Sequence, residues 1–186
     1  MSWRDDRDDI DLDRRGYVGA VEQLTADLDR LLENSNDPRT VFTAFSRMLL
    51  QEFEIQKGFL ALREGDQTRF LAIAAWRNGK TRKNLSLRLP TVSSLFEKVA
   101  ESGQIYSENF ADLFDGNFIE RQLLIDESTA SFMLRPLKHE AIVVALLGYS
   151  SDVPEAFVAF EEGLLDPAFD RLGAFLGRLQ TDQVEV

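Results

Sequence analysis

Residues 131–151, SFMLRPLKHEAIVVALLGYSS, decide the fold class of this chain. Two apolar segments of strand length flank a short polar break at residues 138–140. This pattern is typical of a β-hairpin, in which two neighbouring strands pair antiparallel. The sequence that follows has a helical pattern, so we predict that this hairpin is the last one in the sheet.

Two amphipathic helices are predicted before the sheet begins. Apolar residues recur at three- and four-residue steps over residues 17–34, and a second apolar stripe covers residues 37–53. Asp37 suits the N-cap of the second helix, with Pro38 at its first position. Residues 1–16 alternate Asp with Arg and are predicted to form a flexible arm.

The rest of the chain contains runs of predicted strands with helices between and after them. We predict strands over residues 58–63, 69–77, 84–89 and 104–107, and helices over residues 91–102, 118–125 and 153–180. Asn78-Gly79 suits a type I′ turn, because both central residues of that turn take positive φ. Asp166-Pro167 interrupts the last helix, and we favour two closely spaced segments over one kinked helix.

This order of elements predicts an α+β protein. Strands that follow one another through hairpins form an antiparallel sheet, and the helices gather on its faces. The chain has no internal repeat and no low-complexity linker. We therefore predict one domain over residues 17–180, followed by a short tail at residues 181–186.

The composition disfavours several classes of partner. A formal net charge of −11 argues against broad nucleic-acid binding and against an anionic membrane surface, since both require surplus Lys and Arg. The longest apolar run is too short for a membrane span, and the N-terminus lacks the apolar core of a signal peptide. We therefore expect a cytoplasmic protein with no nucleic-acid or membrane partner.

Motifs for catalysis are missing as well. The chain has no cysteine, which excludes thiol nucleophiles and thiolate metal sites. Its single histidine, His139, lies in the polar break of the hairpin, where we expect it to face solvent. No Gly-x-Ser-x-Gly elbow or Gly-rich phosphate loop occurs. We expect no catalytic residue, no metal and no cofactor, and we predict that the chain is not an enzyme.

A local group of basic residues stands out in this acidic chain. It consists of Arg77, Lys80, Arg82, Lys83 and Arg88, around the predicted Asn-Gly turn. The group could bind an anionic ligand or an acidic partner protein. The alternative is that these side chains are only the solvated tip of a hairpin.

The chain resembles the GAF domain family over about residues 37–179. SSLFEKVAESGQIYSEN at residues 93–109 is similar to the family's helix, Gly-Gln turn and short strand. Arg-Pro-Leu at residues 135–137 is similar to the start of its closing hairpin, and residues 156–176 are similar to its final helix. The related PAS fold is the main alternative, although it usually lacks both flanking helices and this closing order.

The resemblance implies a sheet of about six antiparallel strands. The terminal helices would cover one face, and a short helix with loops would cover the other, where GAF domains hold small molecules. The residues expected to line that pocket are Phe59, Leu71, Ile73, Leu89, Ser93, Ser94, Phe110, Phe114, Phe118 and Phe132. The alternative for each phenylalanine is ordinary core packing, and a one-residue slip in a strand would reverse the face assignments.

The resemblance favours a sensory or regulatory module that binds an unknown small molecule in this Phe-lined pocket. Family activities that attach a bilin or reduce free methionine sulfoxide need a cysteine, which the chain lacks. The alternative to a sensor is a ligand-free dimerising scaffold that acts through protein contacts. In either case the signal could pass to a separate partner protein.

We also predict a homodimer that forms through the terminal helices. Apolar stripes on the first and last helices would meet across a two-fold axis as a four-helix bundle. The predicted interface consists of Val18, Val21, Leu24, Leu28, Leu31, Leu172, Phe175, Leu176 and Leu179. The alternative is that both stripes cover the sheet of their own chain.

Overall fold

Seven strands form one antiparallel sheet in the computed structural model, which describes the backbone of residues 6–65 and 69–182 and the side chains of residues 16–65 and 69–182. The strands are β1 (Lys57–Arg63), β2 (Phe70–Arg77), β3 (Lys80–Arg82), β4 (Leu87–Arg88), β5 (Tyr106–Glu108), β6 (Ser131–His139) and β7 (Ile142–Ser151). Their order across the sheet is β3-β2-β1-β7-β6-β5, and β4 pairs with β2. The predicted α+β class with an antiparallel sheet is confirmed.

Helices cover both faces of this sheet. They are α1 (Asp6–Asn34), α2 (Pro38–Glu52), α3 (Leu95–Ser102), α4 (Phe118–Leu124), α5 (Val158–Glu161) and α6 (Asp166–Asp182). Helices α1, α2, α5 and α6 pack on one side, called the first face below, whereas α3 and α4 pack on the second face. Of the described helices, none is both long enough and apolar enough to cross a lipid bilayer.

The central strands are buried on both faces, and each contributes to two cores. In β1, Leu60 packs in the first-face core, whereas Phe59 and Ala61 pack in the second-face core. In β2, Ile73 and Ala72 divide between the two cores in the same way. Such strands show a continuous apolar run rather than an alternating one, so the sequence alone does not reveal which residue faces which side.

Two-residue turns close the β2–β3 and β6–β7 hairpins. Asn78 and Gly79 have φ of 48° and 81°, so the type I′ turn predicted at this dipeptide is confirmed. Between β6 and β7, Glu140 and Ala141 also have positive φ, 49° and 66°. The final hairpin is therefore tighter than the predicted three-residue break, and β6 continues as far as His139.

The strand predicted over residues 84–89 differs from the observed structure. The turn at Asn78-Gly79 places Lys80 directly opposite Arg77, so pairing resumes at once as β3. The chain then leaves the sheet after Arg82 and returns only for the two residues of β4. Only residues 87 and 88 of the predicted strand are therefore observed as a strand, and β3 is a short strand that the sequence analysis did not predict.

The predicted cap of α2 and the predicted division of the last helix are both observed. The carboxylate of Asp37 accepts hydrogen bonds from the amides of Arg39 and Thr40 at the start of α2. Partial burial acts to raise the pKa of Asp37, but these bonds and one from the Thr40 hydroxyl outweigh it and lower the pKa. At the other end of the chain, α5 stops at Glu161 and α6 begins at Asp166, which confirms two segments.

Helix α6 lies directly against the backbone of β6. A Cβ atom built at Gly173 would lie 2.2 Å from the carbonyl oxygen of Lys138, and one at Gly177 would lie 2.3 Å from the Cβ of His139. Only glycine permits so close an approach of helix and strand. The same contact leaves His139 half-buried against α6, so the prediction that it simply faces solvent is wrong.

Helix α1 begins earlier than predicted. It starts at Asp6, so residues 6–16 are helical and are not the flexible arm that their charge pattern suggested. The rest of that predicted arm, residues 1–5, lies outside the described residues, as does most of the predicted tail at residues 181–186. Propagation of a helix from a packed segment tolerates a charged sequence that would not form a helix alone.

Most of the predicted dimer interface lies inside the core of a single chain. Leu24, Leu28, Leu172, Phe175 and Leu176 are buried, Val21, Leu31 and Leu179 are half-buried, and only Val18 is exposed. The stripes cover the first face of their own sheet, which is the alternative raised above. The homodimer stays a prediction, but the five buried residues are not available to a partner chain while they pack in the core.

Candidate functional site

Five of the predicted pocket residues lie under α3 and α4, but they fill the second-face core. Phe59 stacks on Phe96 with ring centroids 4.7 Å apart, and Phe114 meets Phe132 edge to face at 5.4 Å. Leu89 and Ser94, the other two predicted residues on this side, are buried. These rings therefore pack against one another, as the core-packing alternative describes.

The other predicted pocket residues lie elsewhere. Leu71 and Ile73 face the first side of the sheet, because the neighbouring Ala72 takes the second side. Ser93, Phe110 and Phe118 are exposed, the two phenylalanines at 68% and 72%.

Phe110, Phe114 and Phe118 stand four residues apart in the sequence, but no single helix carries all three. A 3₁₀ turn at Ala111–Leu113 precedes Phe114, and α4 begins only at Phe118. Phe114 is buried, whereas Phe110 and Phe118 are exposed. A shared apolar face requires a continuous helix.

A buried carboxylate that the sequence analysis missed joins α3 to α4. Glu120 is fully buried and accepts hydrogen bonds from the Ser94 hydroxyl and from the amides of Leu95 and Phe96, the latter at 3.0 and 3.2 Å. It also accepts one from the amide of Asn117, 3.2 Å away. The Asn-x-x-Glu spacing of a capping box was the available signal for part of this network.

This network decides what the second face can hold. The first amides of a helix form a natural seat for an anion, because they are unpaired and the helix dipole is positive there. At α3 that seat is occupied by the protein's own Glu120. Together with the stacked rings, this leaves the centre of the second face closed.

An open cleft lies beside α4, at the edge of the same face. Its volume is about 670 Å³, and we call it the cationic cleft. It is lined by Lys57, Ala75, Trp76, Arg77, Lys80, Thr81, Arg82, Leu85, Leu87, Ile119, Gln122 and Leu123. Three residues of the basic group noted in the sequence therefore meet apolar side chains of β4 and α4.

Short elements position the cations of this cleft. The Asn-Gly turn brings β3 back beside β2, with Lys80 opposite Arg77 and Arg82 opposite Ala75. Because side chains alternate along a strand, Lys80 and Arg82 project to the same side. Arg88, also in the basic group, instead pairs with Glu64 through two hydrogen bonds of 2.8 and 3.0 Å.

Two cleft cations hold the C-terminal end of α4. The ammonium group of Lys57 donates to the carbonyl oxygens of Gln122 and Ile125, at 3.1 and 3.3 Å. Arg77 pairs with Asp126 just beyond the helix, at 3.4 Å. Burial lowers the pKa of Lys57, although the nearby Asp126 carboxylate opposes that shift. The cleft is thus mechanically connected to α4.

Two further clefts have mixed charge. One of about 420 Å³ includes Arg63 and Lys138 but also Glu97 and Glu101. The other, of about 270 Å³, includes Arg135 together with the acidic residues Glu161, Asp166 and Asp170. No group of three or more His, Cys, Asp or Glu side chains suited to a metal ion occurs in the part of the chain that the structure describes.

Solved structures of GAF domains superimpose on most of this chain. The GAF domain of a phosphoenolpyruvate-protein phosphotransferase from Coxiella burnetii superimposes with a TM-score of 0.73 at 14% identity, over 90% of this chain and 98% of that one. The GAF domain of a two-component sensor histidine kinase from Bacillus halodurans gives 0.54 at 17% identity, over 72% and 90%. No protein-family model matches the sequence, and neither does any curated protein.

Enzymes occur among the same structural neighbours. The free methionine-R-sulfoxide reductase from Neisseria meningitidis, solved with its substrate, superimposes with a TM-score of 0.64 at 10% identity, over 89% of this chain and 93% of that one. The prediction that this chain is not an enzyme was made from its missing catalytic motifs, and it is wrong as it stands, since enzymes share this fold. The order of the strands and helices, taken with these superpositions, shows that the chain has the GAF domain fold.

Proposed function

We propose that the protein is a sensory or regulatory module that binds a small molecule in the cationic cleft. The fold supports this proposal, because its neighbours include the GAF domain of a sensor histidine kinase. A cytoplasmic location, a homodimer and a separate output protein, all expected from the sequence, are parts of the same proposal. Fold alone does not specify function, so the argument depends on the site.

The cleft itself carries the proposal. Its volume of about 670 Å³ lies within the 300–1,000 Å³ that is usual for small-molecule sites, as a rough range. It combines half-buried apolar side chains, Leu85, Leu87 and Ile119, with a small number of polar groups. The Phe-lined centre of the second face offers no comparable space, because its rings pack against one another.

Helix α4 provides a route from the cleft to the rest of the domain. Ile119, Gln122 and Leu123 form one wall of the cleft. Between them on the same helix, Glu120 reaches the first amides of α3. A ligand that binds one position of α4 more tightly than another would therefore also bias α3, which is the requirement for switching.

The filled second-face core favours the alternative of a ligand-free scaffold. In that case the cleft would be a surface irregularity, and no small molecule would stabilise the protein. The two functions differ in one measurable property, which is whether a small molecule binds in the cleft.

A thermal-shift screen against a metabolite library separates these functions. We expect at least one compound to raise the melting temperature, since ligand at about 100 times its Kd adds about 2.7 kcal/mol of stability. Gln122→Trp should abolish that shift, because Gln122 is exposed and the larger ring would fill the cleft.

Gln51→Trp is the matched control for this screen. Gln51 is an exposed residue near the end of α2, away from the cleft lining, so the shift should persist in this variant. If no compound stabilises the native chain, or if Gln122→Trp responds as strongly as the native chain, the proposed binding site is wrong.

A further inference from the structure

The cationic cleft has the opposite charge to the protein that contains it. The chain has a formal net charge of −11, yet Lys57, Arg77, Lys80 and Arg82 all line this cleft. Within the described part of the chain, none of the lining residues is acidic. Asp126 offsets one of the four cations through its pair with Arg77. A concave site lined by one sign of charge concentrates ligands of the other sign.

The four cations are not equivalent. Lys57 and Arg77 are already bonded to the end of α4 and to Asp126. Lys80 and Arg82 are exposed, and within the described ranges the side chain of neither forms a hydrogen bond or ion pair with another residue. An anion can therefore contact Lys80 and Arg82 without breaking an existing interaction of the protein.

The remaining lining favours an apolar group beside that charge. Leu85, Leu87 and Ile119 are half-buried and pack against the second-face core, so each still presents apolar surface to the cleft. Burial of apolar ligand surface provides affinity, and the few polar groups set its orientation.

From these observations, and resting on the proposed function, we infer that the ligand is an amphipathic anion. Its carboxylate, sulfonate or phosphate group contacts Lys80 and Arg82, and its apolar body lies on Leu85, Leu87 and Ile119. Charge and apolar surface act together, so neither an inorganic anion nor a neutral apolar compound binds as well.

Two fluorescent probes that differ by one group test this inference. 1-Anilinonaphthalene-8-sulfonate is an amphipathic anion, and N-phenyl-1-naphthylamine is the same ring system without the sulfonate. In fluorescence titrations we expect Lys80→Gln combined with Arg82→Gln to weaken binding of the sulfonate about tenfold, from the loss of two partly exposed charge contacts. Binding of the neutral probe should change less than about twofold, as a surface substitution without charge contact predicts.

A second pair of substitutions controls for net charge. Lys83→Gln combined with Arg178→Gln also removes two positive charges, but from exposed positions outside the cleft lining. This control should leave the binding of both probes unaffected. Raising the salt concentration should weaken binding of the sulfonate but not of the neutral probe, because salt screens exposed charges. Gln122→Trp should abolish binding of both probes at the cleft.

Each outcome separates the inference from the proposed function. If Gln122→Trp abolishes binding of the neutral probe but the Lys80 and Arg82 substitutions leave the sulfonate unaffected, the cleft binds small molecules without preference for anions. That result overturns the inference and leaves the proposed function intact. If Gln122→Trp affects neither probe, the cleft does not take them, and both the inference and the proposed site are overturned.

Discussion

Replacing Glu120 by alanine is expected to lower the free energy of unfolding by about 3 kcal/mol. The substitution leaves the Ser94 hydroxyl and the amides of Leu95, Phe96 and Asn117 without their shared acceptor. Buried groups that lose a partner carry a penalty of about 1–3 kcal/mol, and more when the partner was charged. The free energy of unfolding of Glu120→Gln should lie between those of the native chain and Glu120→Ala. The glutamine keeps the shape of the side chain but presents an NH₂ group to some of the donors.

Urea unfolding followed by circular dichroism provides the measurement. Glu101→Ala is the matched control, since Glu101 is an exposed acidic residue on α3 and its loss changes the net charge equally. We expect the control to stay within about 0.5 kcal/mol of the native chain, as is usual for surface sites. A loss below about 1 kcal/mol for Glu120→Ala would mean that this carboxylate does not join the two helices as described.

The second large effect is expected at Gly173, where alanine should destabilise the protein by about 3 kcal/mol, near the upper end for overpacking. The added methyl group would lie 2.2 Å from the Lys138 carbonyl oxygen and 2.8 Å from the Lys138 amide nitrogen. Both are backbone atoms of β6, so α6 must move as a unit to relieve the contact. Helix propensity alone predicts the opposite sign, since Ala is favoured over Gly by about 1 kcal/mol in a helix.

Gly19→Ala isolates that propensity from the packing. Gly19 lies within α1 and has no atom within 4 Å of an added Cβ, so alanine should stabilise the protein by up to about 1 kcal/mol. Melting curves of the two variants should therefore shift in opposite directions. A neutral or stabilising Gly173→Ala would show that α6 is not seated against the β6 backbone.

Local patterns were sufficient to predict much of the fold. The hairpin of β6 and β7, the Asn-Gly turn and the Asp37 cap all depend on residues close together in sequence, and each was predicted correctly. The division of the last helix near Asp166 was predicted for the same reason. Such features follow from backbone geometry and capping, which need no knowledge of distant contacts.

Face assignments could not be predicted in the same way. The β2 sequence FLAIAAWR is apolar from Phe70 to Trp76, so no alternation of polar and apolar residues shows that Ala72 and not Ile73 faces α3 and α4. The stripe on α6 has the spacing of a dimer interface, yet it covers its own sheet. An apolar stripe requires burial but does not specify the surface that buries it.

The candidate site was predicted only in part. For the basic residues around the Asn-Gly turn, the sequence left open an anionic ligand, an acidic partner protein or a solvated hairpin tip, and three of these residues line the cleft. Their position beside α4 depends on long-range packing of residues about 40 positions apart in sequence, which no local pattern contains. The expected pocket of phenylalanines was instead filled by contacts between the rings themselves.

An NMR titration with 1-anilinonaphthalene-8-sulfonate tests the central claim most directly. Backbone amide shifts of the uniformly ¹⁵N-labelled chain report where the probe binds, without any substitution that could disturb folding. The account predicts the largest shift changes in β3, β4 and α4, at residues such as Thr81, Leu87 and Gln122 that line the cationic cleft. Largest changes on α1, α2 and α6, or saturable binding with no change around the cleft, would contradict it.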